Sequence, residues 1–455
     1  MRPQLYISVI VVSTLLLATT VVSAEEIKIG VLADLSGDLS SYGLDIKNNL
    51  EIAKEKINKY FESKGMPYNV NFYYEDTKVD PNIALQKVQD LDAKGVDLII
   101  GPMGSGEVKN ILNYVASNKI IIISPSSTAA PKYIGVTKPE EKKYIFRFVA
   151  TDAFQTKAIA KIASDLGIKA VIITYVGNAW GKGLEEFGRM EFENAGIEVY
   201  RSSVEYPDNP KPTDFSPYLA SIENAVSELL GKYKPNEIAV VAFSYEEVAT
   251  MLAQTKEDSK LLSVWWLGCD GTAKSAKVIE DVPKKASNVK LISTVSEQRG
   301  GKSYDELVAI YSERYGGTPK SYGMNAYDAA WVLALSYVEV VSENGAYGAD
   351  KMAEKIKEVA EKYSKGEYGV EPVSGAISFD EYNDRVVPEY RIYAVINGDW
   401  KDLGVWKYPE NAVSWTQKPE PPATTVEETK KTPGFELAIA VVGVLAGAYL
   451  IRRRQ

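Results

Sequence analysis

The chain has 455 residues, a formal net charge of −9, one cysteine and no histidine. Without histidine there is no imidazole acid/base, no Ser-His or Cys-His nucleophile and no histidine-ligated metal, and one cysteine allows neither an intrachain disulfide nor a thiolate cage. The acidic balance argues against a nucleic-acid partner, and the length, at about 150 residues per domain, predicts two or three domains.

The first segment, residues 1–24, combines Met1-Arg2, an apolar run over 5–22 and the small residues Ser23-Ala24. That order reads as a signal peptide, with an uncleaved anchor helix as the alternative. No cysteine follows the apolar run, so an N-terminal lipoprotein anchor is not expected.

The body then alternates short apolar runs with amphipathic segments. Strands are predicted over 27–32, 70–74, 97–100 and 120–124, with helices over 42–61, 83–93 and 107–117 between them. After Arg147 the pattern restarts. Helices over 153–166, 181–194, 215–231 and 245–254 alternate with strands over 170–175, 198–204, 237–243 and 263–267. Further helices are predicted over 303–315, 325–342 and 350–363. Such alternation predicts an α/β fold of parallel sheets covered on both faces. The restart predicts two lobes.

The C-terminal end has three parts. Residues 418–433 are rich in Pro, Thr and charge and read as an extended linker reaching on the order of 50 Å. Pro433-Gly434-Phe435 follows, then an apolar run over 437–451 and Arg452-Arg453-Arg454. As a helix the run spans about 22 Å, short against a hydrocarbon core of roughly 30 Å. The arginines place this tip in the cytoplasm and the body outside. The tripartite end resembles the archaeal PGF-CTERM sorting signal. The resemblance implies removal of the helix by an archaeosortase-type enzyme, a lipid anchor at the new C-terminus and an archaeal cell-surface protein. A plain C-terminal membrane helix is the alternative and puts the body on the same side.

Two phosphate-binding patterns fail. Residues 101–106 follow a strand and open a helix but are not GxGxxG. Gly301-Lys302-Ser303 looks like the end of a P-loop, but Ser296 stands where its first glycine belongs. No metal-ligand spacing is visible.

What remains lies in the loops after strands, where ligands of parallel sheets bind. In the first half these are Asp34-Leu35-Ser36-Gly37 with Tyr42-Gly43, then Gly104-Ser105-Gly106, then Ser124 to Thr128. Hydroxyls and exposed N–H groups at helix N-termini make a seat for a carboxylate, although each loop alone reads as an ordinary helix cap. In the second half the strand-end loops carry Trp180, Tyr245 and Asp270: flat apolar walls and an acid to receive an ammonium. Each of these alone is also bland, since Trp180 reads equally as core and Asp270 as a cap. Together the two halves describe a pocket for an α-amino acid.

Over residues 25–410 the chain resembles the type I periplasmic binding proteins, specifically the branched-chain amino acid (Leu/Ile/Val) substrate-binding proteins of ABC importers. The resemblance is carried by 27–37 with Tyr42-Gly43, Asp76, 101–105, 124–128, Trp180-Gly181-Lys182-Gly183, 268–271 and Tyr327-Asp328-Ala329. It implies two doubly wound, Rossmann-like lobes that close like a flytrap. Lobe 1 would be 25–148 continued by 298–375, and lobe 2 would be 149–297 continued by 376–417. The chain would cross near 148–151, 293–298 and 375–380. The sorting segment is 434–455.

By position, the resemblance implies that Ser105 and Thr128 hold the ligand carboxylate and that the backbone at Ser126 and Ser127 holds the carboxylate and part of the ammonium. Tyr42, Trp180 and Tyr245 would line the side-chain pocket, and Asp270 would pair with the ammonium. Three departures stand out: the family often has Tyr at 180, Glu at 270 and Ala at 126 and 127. Its small N-terminal disulfide is absent.

The expected function is that of an extracytoplasmic solute-binding protein that delivers an amino acid to permease subunits, with no cofactor, no metal and no catalytic residue. A ligand-sensing surface receptor of the same fold and a binder of a small amide or urea-like compound are the alternatives.

Overall fold

The computed structural model describes residues 24–37, 39–386 and 389–423. Residues 1–23 of the expected signal segment, most of the linker and all of 434–455 lie outside the described residues. Among the described residues no helix is long and apolar enough to cross a membrane.

The first sheet is wholly parallel. It comprises β1 (Glu25–Ala33), β2 (Tyr68–Asp76), β3 (Leu98–Ile100), β4 (Ile121–Ser124) and β5 (Ile145–Arg147), in the order β2-β1-β3-β4-β5. Its central strands are apolar on both faces because helices cover both. Helices α1 (Ser40–Ser63), α2 (Pro81–Asp92) and α3 (Ser105–Asn118) connect the strands. Asp80 starts α2 by accepting from the N–H groups of Asn82 and Ile83, with Pro81 in the first turn. The helix therefore begins ahead of the predicted residue 83.

After β5 the chain enters α4 (Asp152–Leu166) and builds a second sheet. Its elements are β6 (Ala170–Val176), α5 (Ala179–Asn194), β7 (Glu198–Val199), β8 (Val204–Tyr206), α6 (Ser216–Leu229), β9 (Ile238–Phe243), α7 (Val248–Gln254), β10 (Trp265–Leu267), α8 (Ala276–Asp281), α9 (Pro283–Asn288) and β11 (Ile292–Val295). The single strand predicted over 198–204 is thus two short ones, β7 and β8, each paired with β6. The chain returns to the first lobe for α10 (Lys302–Tyr315), α11 (Ser321–Asn344) and α12 (Ala349–Ser364), where α11 packs on α1 and α12 on α11. It ends in the second sheet with β12 (Glu389–Ile396), β13 (Asp399–Lys407) and β14 (Ala412–Trp415).

The second sheet departs from the parallel expectation. Strands β12, β13 and β14 each run antiparallel to the strand before them in the sheet. The physical reason is a pair of tight connections with no helix between strands. Asn397 and Gly398, both at positive φ (52° and 81°), form a two-residue hairpin turn of the kind Asn-Gly favours.

The third passage between lobes also sits later than 375–380. Asp384 bridges Arg147 of β5, and Phe379 bridges Arg385, so this segment still lines the first sheet. A buried ion cluster holds it there. Arg147 donates through two nitrogens to the two oxygens of Asp384, and Lys142 Nζ donates to Asp384 Oδ1 at 2.6 Å and to the Tyr382 carbonyl. All three side chains are essentially inaccessible. Burial pushes the Asp384 carboxyl up, but the two cations more than offset this and hold it below its usual range. Burial lowers Lys142 to about 8.

Replacing Asp384 with alanine leaves two buried cations unpaired, and urea denaturation should show a loss of about 3–5 kcal/mol. Because the Asp384 pKa is depressed, its contribution is present above the unfolded carboxyl pKa and should vanish as acid titration passes through the folded value. A midpoint unchanged in the alanine variant would exclude this account.

Candidate functional site

The carboxyl ends of the strands from both sheets meet at one cleft. Its lining includes six of the eight residues singled out in the sequence: Tyr42, Ser105, Ser126, Trp180, Tyr245 and Asp270. Leu39, Met103, Gly104, Gly271 and Tyr322 complete it. The space between them is only about 20 Å³, room for little more than a water molecule.

The cleft is small because the lobes are bonded across it. Tyr42 on α1 donates to the Ala273 carbonyl and, at 3.3 Å, to the Asp270 carbonyl. Ser41 Oγ donates to Glu246 at 2.9 Å. Tyr322 at the start of α11 donates to Asp270 Oδ2. Asn209 reaches Asp80 at 3.1 Å.

On the second lobe, Trp180 and Tyr245 stack with ring centroids 4.5 Å apart and planes within 9°. Asn178 orders this wall twice. Its side-chain oxygen accepts from Gly181 N–H to start α5, and its amide donates to the Tyr245 hydroxyl at 3.1 Å. Gly271 lies against both rings. A Cβ there would sit 2.9 Å from Trp180 and 2.6 Å from the Ser244 carbonyl, so the loop that presents Asp270 requires glycine.

The first-lobe loops are more self-contained than the sequence reading expects. Asp34 accepts from the N–H groups of Ser36, Gly37 and Leu39, so those donors serve the loop. Ser127 and Thr128 do not line the cavity. Ser127 N–H donates to Ser124 Oγ, and its hydroxyl pairs with Ser105 Oγ at 3.1 Å. The expected role of the Ser127 backbone as a ligand donor is therefore not available in this conformation. Ser105 Oγ accepts from Ala129 N–H, and Ser126 Oγ donates to the Met103 carbonyl. Thr128 Oγ1 is buried without a hydrogen-bond partner and faces Asp152.

Asp152 is the principal residue that the sequence reading missed. It opens α4 directly after the first passage between lobes, is 1% exposed, and neither of its oxygens has a partner in hydrogen-bond geometry. Asp270 Oδ1 is likewise unpartnered. Burial raises the Asp152 carboxyl well above its usual range, and the nearby charge of Asp270 raises it further. Burial also raises Asp270, opposed by the Tyr322 hydroxyl. Gln155, one turn along α4, adds a donor toward Asp270 while its amide holds the Thr294 carbonyl at 2.9 Å. In the sequence an acid in the first turn of a helix reads as ordinary dipole compensation. Nothing local marks Asp152 or Tyr322 as facing a cleft. Cys269, beside Asp270, is fully buried with its sulfur toward the Ala242 and Ser244 carbonyls.

The site thus offers two desolvated acids, a cluster of hydroxyls and two stacked rings. No group of three or more potential ligating side chains that could hold a metal ion occurs among the described residues. The chemistry suits a small molecule that brings N–H donors of its own.

Comparison with known proteins places this geometry. Residues 26–399 match the family model described as periplasmic binding protein, and residues 432–454 match the PGF-CTERM motif. An uncharacterized protein of Methanocaldococcus jannaschii is 47% identical over 390 residues, covering 86% of this chain and 91% of its own length. Among solved structures, the leucine binding protein LivK of Thermotoga maritima is similar with a TM-score of 0.68 at 22% identity, over 85% of this chain and all of that one. A solute binding protein of an ABC transporter from R. palustris, in complex with benzoate, is similar with a TM-score of 0.66 at 15% identity, over 88% and 99% of the two chains. The two structures establish likeness of fold. With its family match running through both sheets, the chain belongs to the periplasmic binding proteins of type I fold, which are solute binders and not enzymes.

Proposed function

We propose that the protein is the surface-exposed solute-binding component of an ABC importer and that it takes a small aliphatic α-amino acid between its lobes. The observation that carries this reading is a pair of buried acids with oxygens to spare, Asp270 Oδ1 and both oxygens of Asp152, at a cleft that Ser105 and Ser126 also line. The ammonium sits between the acids, the carboxylate meets the hydroxyls, and the side chain lies against Tyr42, Trp180 and Tyr245. The PGF-CTERM match supports a C-terminally anchored location outside the cytoplasmic membrane, with archaeosortase-type processing. Permease subunits are the partners that receive the solute.

A small amide or urea-like ligand is the second reading, and one observation favours it. No lysine or arginine lines the cavity to meet a carboxylate, whereas two acids await N–H donors. Titration calorimetry with leucine, valine and alanine against acetamide and urea separates the two. Binding by the amides alone would refute the amino acid assignment.

Three outcomes follow from the acids. Asp270→Asn should weaken amino acid binding roughly 10- to 150-fold, the worth of one hydrogen bond to a charged group, while the protein stays folded. Unchanged affinity would remove Asp270 from the site. Because both carboxyls are raised, the ligand-free pair takes up a proton at higher pH than ordinary carboxyls do, and an ammonium ligand opposes that uptake. Calorimetry in buffers of different ionisation enthalpy should therefore register proton release, and affinity should rise with pH through the pair's titration. The sign for stability is the reverse. A raised carboxyl loses folding stability as pH climbs above its unfolded value, so ligand-free Asp152→Asn should melt higher than the parent at neutral pH, with the difference closing below about pH 3.9.

A further inference from the structure

A second cavity, of about 270 Å³, opens on the first lobe and shares no lining residue with the cleft. It lies where α1, α10, α11 and the segment after α12 come together. Its floor is aromatic. The Trp331 ring meets Tyr60 edge-on at 5.4 Å and stacks at 6.1 Å on Tyr363. The hydroxyls of Tyr60 and Tyr363 are spent on the Tyr368 carbonyl and on Asp328. That of Tyr327 is not. The nearby Trp331 indole can only donate, so it takes nothing from the Tyr327 hydroxyl, which lines the cavity with its proton left to give.

The rim is charged in a specific way. Lys56 and Glu306 neutralise each other at 3.3 Å. Lys59 on α1, whose charge also acts on Glu55 one turn back, and Glu371 beyond α12 are exposed at the rim. The cavity therefore presents, at its mouth, one cation and one anion from different elements, without a close ion pair between them. Below them are flat apolar walls, and beside these a hydroxyl donor. The volume suits a single ring with a short polar arm.

We infer that this cavity is a second ligand site, and that it takes a zwitterion with a planar aromatic body, an aromatic α-amino acid whose ring carries an acceptor. The ring packs against Trp331 and Tyr327, the ring oxygen accepts from the Tyr327 hydroxyl, the carboxylate meets Lys59 and the ammonium meets Glu371. Leu307, just after the second passage between lobes, and Val370, before the third, hold the ring's edges.

The test uses the full chain with L-tyrosine, tyramine and 4-hydroxyphenylacetate as probes, followed by saturation-transfer NMR. Lys59→Glu and Glu371→Lys change exposed positions and leave the fold intact, which circular dichroism checks. Each should weaken L-tyrosine about fivefold, roughly 1 kcal/mol for a partly exposed pair. Tyramine should respond only to Glu371→Lys and 4-hydroxyphenylacetate only to Lys59→Glu. Asp270→Asn should leave L-tyrosine binding in place. The inference is overturned if L-tyrosine does not bind, if neither charge reversal weakens it, or if Asp270→Asn abolishes it and so places it in the cleft.

Discussion

The direction of the strands governs everything else in this protein. All five strands of the first sheet run the same way, as do β6 to β11 of the second. Parallel strands cannot be joined by tight turns, so most of them return through a helix and deliver their next loop to the same end of the sheet. The chemistry-bearing loops after β1, β3, β4, β6, β9 and β10 are therefore gathered without any further instruction. Glycine sharpens the convergence where backbones must nearly touch. Gly101, at φ +108°, sits where a Cβ would lie 2.2 Å from the Leu32 carbonyl, so β3 could not end so close to β1 with any other residue.

Within that frame, buried carboxylates are treated in three distinct ways. Asp34 is surrounded by backbone N–H groups and organises a loop. Asp384 is paired with two cations and fixes a segment of chain beside β5. Asp152 and Asp270 face one another's charge with oxygens left over. Desolvated acids without compensation are costly and persist where something outside the fold completes them. The contrast within one molecule is what distinguishes the cleft acids from structural ones.

The sequence revealed the architecture unevenly, for physical reasons. The apolar runs of β1, β3, β4, β6 and β9 and the long helices are written in periodicity, and the first-lobe sheet follows from them. The hairpin of β12 and β13 carries its Asn397-Gly398 signal, but β13 mixes Lys, Asp and Trp and does not read as a buried run. Six of the residues singled out converge on the cleft because they follow strand ends. Ser127 and Thr128 follow one too, yet their donors turn inward, a matter of local hydrogen bonding that spacing does not encode. Asp152 and Tyr322 belong to helices whose starts look ordinary. The Arg147–Asp384 contact joins residues 237 apart in the chain and has no local signature at all.

The position of β14 has a mechanical consequence. This strand is the outer edge of the second sheet, and the chain runs from it directly toward its C-terminus. A protein held by that end is held through the second lobe. Three passages join the first lobe to it, and residues 1–23, which precede β1 of the first lobe, lie outside the described residues. Trp180, Tyr245 and Asp270 then belong to the mounted side of the cleft, and the hydroxyl loops with α1 to the side that reaches the mount only through the other lobe.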